Sequence, residues 1–507
     1  MNRKAESIAK ASFVILVVNF SSRILGFLRE ILIAYFFGAK AIVDSFLVAN
    51  VLPTTIAGLI GGALTTVFIP VFIEKQEKEG EEAAWEGARS VFGVSLVYLL
   101  TMLSISYAVA PFFIKAIAPG FTEERLRLAL SMSNIMLPSI VFLGMLGLLT
   151  GIFNSYRLFT IPALAGFSYN VCLILFIVLA KDFPLIGLGL GNTMGIITQV
   201  MILFLIARKT WSGWGVGFSF SHPMLKKVWR LMIPIFIGTG VGYLNLIVDR
   251  IFASLLPEGT ISAMNFAVRI KEIPIGLFVL AISQAVYPVT ASKLSQGKIE
   301  EFKDLFARSL ETLWLFIIPS VAGILILSEE TVRFLFERGA FTAQATLITA
   351  QALFFYALGL FFRASLDLTA RVFYSFQDTK TPVKVGIIGL VLNIILNAVL
   401  VRPMAHRGLA LATSMSSIFM FVVLIEILRR RMRGIGGRTL LKNLIKIVLA
   451  TSTMSLFVVL FKPLAQSNLG YIALVALGAL VYAGAVLVFK PRSAEMILKR
   501  ALRRLHR

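Results

Sequence analysis

The chain has 507 residues, 58% of them hydrophobic and only 15% charged, with a mean hydropathy of +0.87. This composition excludes a soluble globular protein and points to an all-α polytopic membrane protein. The net charge of +23 would suit a nucleic-acid partner, but the distribution of the basic residues argues for membrane topology instead.

A helix needs about 20 apolar residues to cross a bilayer, and the sequence predicts about 14 such spans. In chain order they fall near 9–37, 43–73, 88–114, 127–153, 161–180, 185–208, 226–254, 261–290, 303–328, 346–374, 382–401, 407–430, 443–463 and 468–489. The first stretch is too long for a signal segment and has no small-residue cleavage site, so it is expected to remain as a span. With the N-terminus inside, inner loops and tails hold roughly three times as many Lys and Arg residues as outer loops. Both termini are therefore expected to be cytoplasmic. The run Arg429, Arg430, Arg431, Arg433 and the basic tail at 499–504 belong to that bias and suit anionic lipid head groups.

Three arginines stand inside otherwise apolar spans. Arg23 and Arg29 lie in span 1, and Arg269 lies in span 8. Arg23 is about 22 Å along its helix and Arg269 about 12 Å along its own, at about 1.5 Å per residue. A guanidinium in lipid is costly, so such residues face a bundle interior or a wet cavity. Arginine's planar fork matches phosphate oxygens, which suggests an anion clamp. The competing reading is interhelical ion pairing. Glu30 adjoins Arg29, Lys271 and Glu272 flank Arg269, and Asp44, just past Gly38, is placed to pair with Arg29. In span 2, Pro53, Gly58, Gly61 and Gly62 suggest a bent, adjustable helix, or close packing.

An internal repeat has an offset of about 220 residues, as expected for transporter folds built from duplicated units. Gly38 matches Gly259, Pro53 matches Pro274, and the stretch at 151–164 matches 371–384. Spans 1–6 and 7–12 thus read as two parallel six-helix copies, with two extra helices. The expected domains are residues 1–220, 221–435, 436–490 and a basic cytoplasmic tail at 491–507.

Two more polar sets lie in the second half. Asn393 and Asn397 share one helical face, and Asp249 and Thr413 are candidates to join them around a small hard cation such as Na⁺. Interhelical hydrogen bonding is the plainer reading. Arg363, Asp367 and Arg371 are spaced by four, which fits an intrahelical ion-pair ladder with a gating role.

Other chemistry is excluded. Cys172 is the single cysteine, and His222, His406 and His506 are scattered, so no zinc or iron spacing exists. No Walker A sequence is present, and no loop (74–86, 209–227 and 292–304 are the longest inner ones) can hold a soluble domain. A transporter with no cofactor, driven by an Na⁺ or H⁺ gradient or by membrane potential, is the expected class rather than an enzyme.

The stretches SRILGFLRE (22–30), FFGAKAIVDSFLVANVLP (36–53), FLFERGAFTAQAT (334–346) and FYSFQDTKTPVKVGIIGLVLNIILN (373–397) resemble the MurJ (MviN) family of lipid II flippases. That family's superfamily also holds MATE drug exporters and Wzx-type flippases. The resemblance implies transfer of undecaprenyl-diphosphate-linked peptidoglycan precursor from the inner to the outer leaflet of the bacterial inner membrane, in service of cell-wall synthesis. It implies Arg23, Arg29, Arg269 and Asp44 as site residues, with one departure that reads as a weaker clamp, as compensation by Lys271, or as a different substrate. Ala57 and Gly58 stand where the family carries a pair of arginines. That departure motivates a second reading, a flippase for another lipid-linked oligosaccharide. A cation-coupled multidrug exporter and a cell-wall scaffold are further alternatives, both disfavoured by the basic set of candidate cavity residues.

Overall fold

The computed structural model describes residues 8–279, 282, 286, 289–290, 292–294 and 296–496. The basic tail segment at 499–504 lies outside them. All regular elements among the described residues are helical. Contacts divide the chain into two compact units, one comprising residues up to Ser262 with Arg338–Phe341, the other Ala263–Glu337 with the residues from Thr342 onward. The sequence repeat places its boundary near residue 220. The contact boundary falls later because the helix Pro223–Ser254 packs on helices of the first unit.

The first unit contains α1 (Ile8–Phe37), α2 (Ala41–Ala49), α3 (Val51–Glu79), α4 (Glu81–Ile117), α5 (Glu123–Met136), α6 (Ser139–Ser155), α7 (Thr160–Leu179), α8 (Gly191–Thr210) and α9 (Pro223–Ser254). α10 (Thr260–Pro274) leads into the second unit, followed by α11 (Ile299–Ile326), α12 (Ser328–Phe336), α13 (Ala343–Ser375), α14 (Lys380–Met404), α15 (His406–Arg431), α16 (Gly437–Leu460) and α17 (Asn468–Phe489). Among the described residues ten helices are long and apolar enough to cross a membrane, or twelve if each of two bent pairs counts as one span. The expected count of about 14 is thus not reached among the described residues. The bends have local causes. α5 and α6 meet at 42° across Leu137 and Pro138, and α9 bends by 46° just after Pro234, which cannot donate to the helix ladder.

Helix starts follow the chain chemistry. Thr122 caps α5 by accepting from the Arg125 amide, with Glu123 and Glu124 in the first turn, where the helix dipole favours acids. His222 caps α9 through Nδ1, which accepts from the Met224 amide 3.1 Å away, and Pro223 occupies the first helical position. Burial, with Lys75 nearby, holds the His222 pKa below its ordinary value, which keeps the ring neutral and able to accept.

In the first unit α3 lies along α6, α7 along α1 and α8, and the core is filled by Phe68, Phe72 and Phe153. The α3–α6 contact is backbone on backbone. A Cβ on Gly147 would stand 2.2 Å from the Gly61 carbonyl oxygen, and the Thr65 hydroxyl donates to the Gly147 carbonyl at 2.8 Å. In the second unit α13 packs on α15 and α11, with Phe302, Phe306 and Phe373 in its core. The two extra helices, α16 and α17, pack together, and α16 rests on α11.

The duplicated stretches share a turn. Arg157 (φ +59°) and Gln377 (φ +57°), which the repeat aligns, both adopt the left-handed conformation that non-glycine residues rarely take. The following amide closes each turn, Leu158 to the Phe153 carbonyl at 2.8 Å and Asp378 to the Phe373 carbonyl at 3.0 Å. Gly38 (φ +66°), directly after α1, and Gly259 (φ +84°), directly before α10, are likewise aligned by the repeat and share the left-handed conformation.

Candidate functional site

The arginines on α1 have different surroundings. Arg29 is largely buried. One terminal nitrogen donates to Glu30 at 2.7 Å and the other to the Asn170 side chain on α7 at 3.1 Å, and its guanidinium lies 5.5 Å from the Tyr169 ring centroid. Asn170 also donates to the Ser22 carbonyl, so this group fastens α1 to α7. Arg23, two turns away on the same helix, is exposed and makes no ion pair among the described residues. Phe20, Ile24 and Leu28 beside it are also exposed, so a bare cation stands on an apolar helix face.

Asp44 does not pair with Arg29, contrary to the sequence expectation. It lies on the α2 face that packs against α5, and its oxygen Oδ2 accepts from Arg125 at 3.0 Å. The same oxygen accepts from the Gly259 amide at 2.7 Å, and Oδ1 accepts from the Ser262 amide at 2.8 Å. A fully buried carboxylate thus caps the start of α10 and offers no open oxygen to a substrate. The surrounding turns touch backbone to backbone. The Ala340 amide donates to the Tyr35 carbonyl at 2.7 Å, the Ala41 amide to Glu258 at 3.0 Å, and a Cβ on Gly259 would stand 2.3 Å from the Ala39 carbonyl oxygen. Only a residue without a side chain fits there, with φ +84°.

In the second unit Arg269 is half exposed and approaches Glu272, at i+3, only to 3.7 Å. Lys271 lies 4.0 Å from the centroid of the Tyr356 ring on α13, a cation–π contact between α10 and α13. On α13, Arg363 and Asp367 approach to 3.4 Å, half exposed, while Arg371 makes no ion pair among the described residues. Asp367, Arg371 and Tyr374 line an open pocket of about 510 Å³.

The remaining candidates are placed as follows. Asn397 donates to Asn393 at 2.9 Å, both buried on α14, and the Thr413 hydroxyl donates to the Leu409 carbonyl of its own helix. Asp249, in the first unit, accepts from Asn245 at 3.5 Å. Ala57 is buried, and the space that a side chain at Gly58 would need is occupied by the Tyr243 phenol, 1.7 Å from the Cβ position. Neither position can present a cation. The glycines of α3 serve packing: Gly58 admits Tyr243 and Gly61 admits α6.

Two buried charged groups went unnoticed in the sequence. Arg125, the partner of Asp44, sits at the polar start of α5 and reads as a loop charge. Glu311 on α11 is fully buried and accepts from Asn443 of α16 at 2.9 Å, which fastens the extra helices to the second unit. Its own span looked apolar enough to hide it.

Comparison with known proteins decides the family. The family model described as lipid II flippase MurJ matches residues 33–480. The chain belongs to the MurJ lipid II flippase family. A probable lipid II flippase MurJ of Buchnera aphidicola subsp. Schizaphis graminum is 30% identical over 424 residues, 82% of each chain. Its counterpart from Buchnera aphidicola subsp. Baizongia pistaciae is 29% identical over 468 residues, 91% of each. A solved structure titled lipid II flippase MurJ, inward closed conformation, superposes with a TM-score of 0.80 at 27% identity, covering 97% of this chain and 99% of that one. An inward-facing MATE multidrug transporter gives 0.72 at 15% identity over 83% of this chain, a likeness of fold alone. The family thus comprises multi-pass membrane transporters rather than enzymes, and the multidrug-exporter alternative is not favoured.

Proposed function

We propose that this chain carries lipid II from the inner to the outer leaflet of the bacterial inner membrane by alternating access, with both termini cytoplasmic. Membership in the lipid II flippase family carries the reading. The exposed guanidinium of Arg23, and the half-exposed guanidinium of Arg269 beside Glu272, supply positive charge for the substrate's diphosphate. Each contacts the diphosphate at some stage of the cycle, assisted by Lys271, while the polyprenyl tail stays in lipid.

Arg29 and Asp44 act differently. Arg29 holds the α1–α7 geometry beside Arg23. Asp44 fastens α2 to the start of α10 through its hydrogen bonds to Gly259 and Ser262. The flipped product is consumed by the cell-wall synthesis machinery. Na⁺ or H⁺ coupling is part of the same proposal, with Asp249 in the first unit and Asn393, Asn397 and Thr413 in the second as the polar groups to substitute.

The test is depletion of the protein in cells with an assay of lipid II exposure on the outer leaflet. Complementation by the wild type restores exposure, and by Arg23→Ala or Arg269→Ala it does not. Full exposure with both variants overturns the clamp.

A further inference from the structure

The diphosphate is only part of the lipid II head. The sugars carry a short peptide with free carboxylates and, on its diamino acid, a free amine. A transporter that moves this head through the membrane must give those charges somewhere to go, because an unpaired charge in a low-dielectric passage is costly.

The face of α13 is suited to them. Arg363, Asp367 and Arg371 recur every four residues, so each is about 6 Å from the next along the helix. The signs alternate, positive, negative, positive, and Tyr374 closes the row at the far end. Asp367, Arg371 and Tyr374 line the open pocket of about 510 Å³. None of the charges is locked as Arg29 is. The single contact, Arg363 to Asp367, is long at 3.4 Å, and their side chains are 51% and 32% exposed. Arg371 makes no ion pair among the described residues.

The pattern selects a class of ligand. A bare diphosphate placed here would meet the Asp367 carboxylate between the two arginines. A zwitterionic peptide, with an ammonium and a carboxylate a few ångströms apart, matches Asp367 and Arg371 in both sign and spacing. Tyr374, 41% exposed, adds an aromatic face and a hydroxyl.

The row also lies at a useful distance from the diphosphate contacts. Tyr356, against which Lys271 packs, is seven residues before Arg363 on the same helical face. That is about 10 Å along the axis, within reach of an extended peptide of three or more residues that starts on the sugar bearing the diphosphate.

We propose that Arg363, Asp367, Arg371 and Tyr374 form a subsite for the peptide of the lipid II head group, with Asp367 taking the side-chain amine and Arg371 a carboxylate. The inference rests on the lipid II reading above and adds which part of the substrate this face recognises.

Binding to the purified protein in lipid nanodiscs tests it, using three lipids: lipid II, lipid II acetylated on the side-chain amine, and the same polyprenyl-diphosphate disaccharide without the peptide. Wild type is expected to bind lipid II about tenfold more tightly than either of the others, the scale of one charge-assisted contact. Asp367→Asn loses that preference, binds the peptide-free lipid as wild type does, and shows no further loss on acetylation. Because Asp367 also contacts Arg363, Arg371→Gln provides an independent check. It is expected to weaken lipid II about tenfold and to leave the peptide-free lipid unchanged. A wild type that binds peptide-bearing and peptide-free lipids equally overturns the subsite and leaves the transport reading standing, as do variants that weaken both lipids alike. A wild type that binds no polyprenyl-diphosphate lipid overturns both.

Discussion

Charges buried in the first unit are spent on architecture, whereas those along α10 and α13 of the second are held loosely. Arg29 is enclosed by Glu30, Asn170 and the Tyr169 ring, and Asp44 by Arg125 and two backbone amides. Arg269, Arg363 and Asp367 have long ion-pair contacts, with 40%, 51% and 32% of their side chains exposed. Arg23, in the first unit, belongs by exposure with the second group. An ionisable residue within a span is therefore not in itself a ligand for substrate. What separates the two kinds is how far the charge is enclosed.

The sharpest way to break this contrast is to remove a locked charge. Arg29→Ala withdraws the guanidinium from the buried Glu30 and is expected to cost about 3–5 kcal/mol of stability, seen as a lower unfolding temperature in detergent. Adding Glu30→Gln should recover part of that loss. Gly259→Ala comes next. It forces a side chain into a left-handed backbone and against the Ala39 carbonyl, at a cost of order 1–3 kcal/mol in the same measurement. A wild-type unfolding curve for Arg29→Ala would show that its contacts to Glu30 and Asn170 are slack, and one for Gly259→Ala would show the same of those around Asp44.

The loosely held charges should behave in the opposite way. Arg23→Ala and Arg269→Ala are expected to change stability by no more than about 0.5 kcal/mol. Lipid II binding should weaken by about tenfold in each, as loss of one charge-assisted contact predicts. Equal damage to folding and binding would erase the distinction.

The smallest effect concerns Asp378, in the second copy of the left-handed turn, where the first copy has Leu158. Partial burial raises its pKa, but the Thr381 amide and hydroxyl, with Arg431, more than offset that and hold the carboxyl below its ordinary value. A depressed folded pKa contributes stability above the unfolded value, near about 4, which is lost as pH falls through the folded one. Asp378→Asn should therefore cost up to about 1 kcal/mol at neutral pH and nothing in strong acid. Unfolding curves across that pH range will show whether the difference closes.

How much the sequence disclosed follows from the range of each interaction. Apolar length disclosed the helices, and the repeat aligned the two stretches that hold the paired turns at Arg157 and Gln377, because both are local signals. Arg23, Arg29 and Arg269 stood out against apolar neighbours. Their fates did not, because Asn170 is 141 residues from Arg29, and Asp44 is held partly by backbone amides that no residue pattern announces. Glu311 was hidden for the same reason, its partner Asn443 lying 132 residues away. Gly147 and Gly151, one turn apart on α6, are a small-residue signal for the seam with α3.

That seam has a mechanical consequence. Where carbonyl oxygens of one helix rest on α-carbons of another, no rotamers are available to absorb sliding, and a displacement of a fraction of an ångström opens a void or makes a clash. α3 and α6 must then travel as one stiff beam. Flexure is left to the joint at Pro138 before α6, where the proline interrupts the ladder of helical hydrogen bonds and the chain bends by 42°.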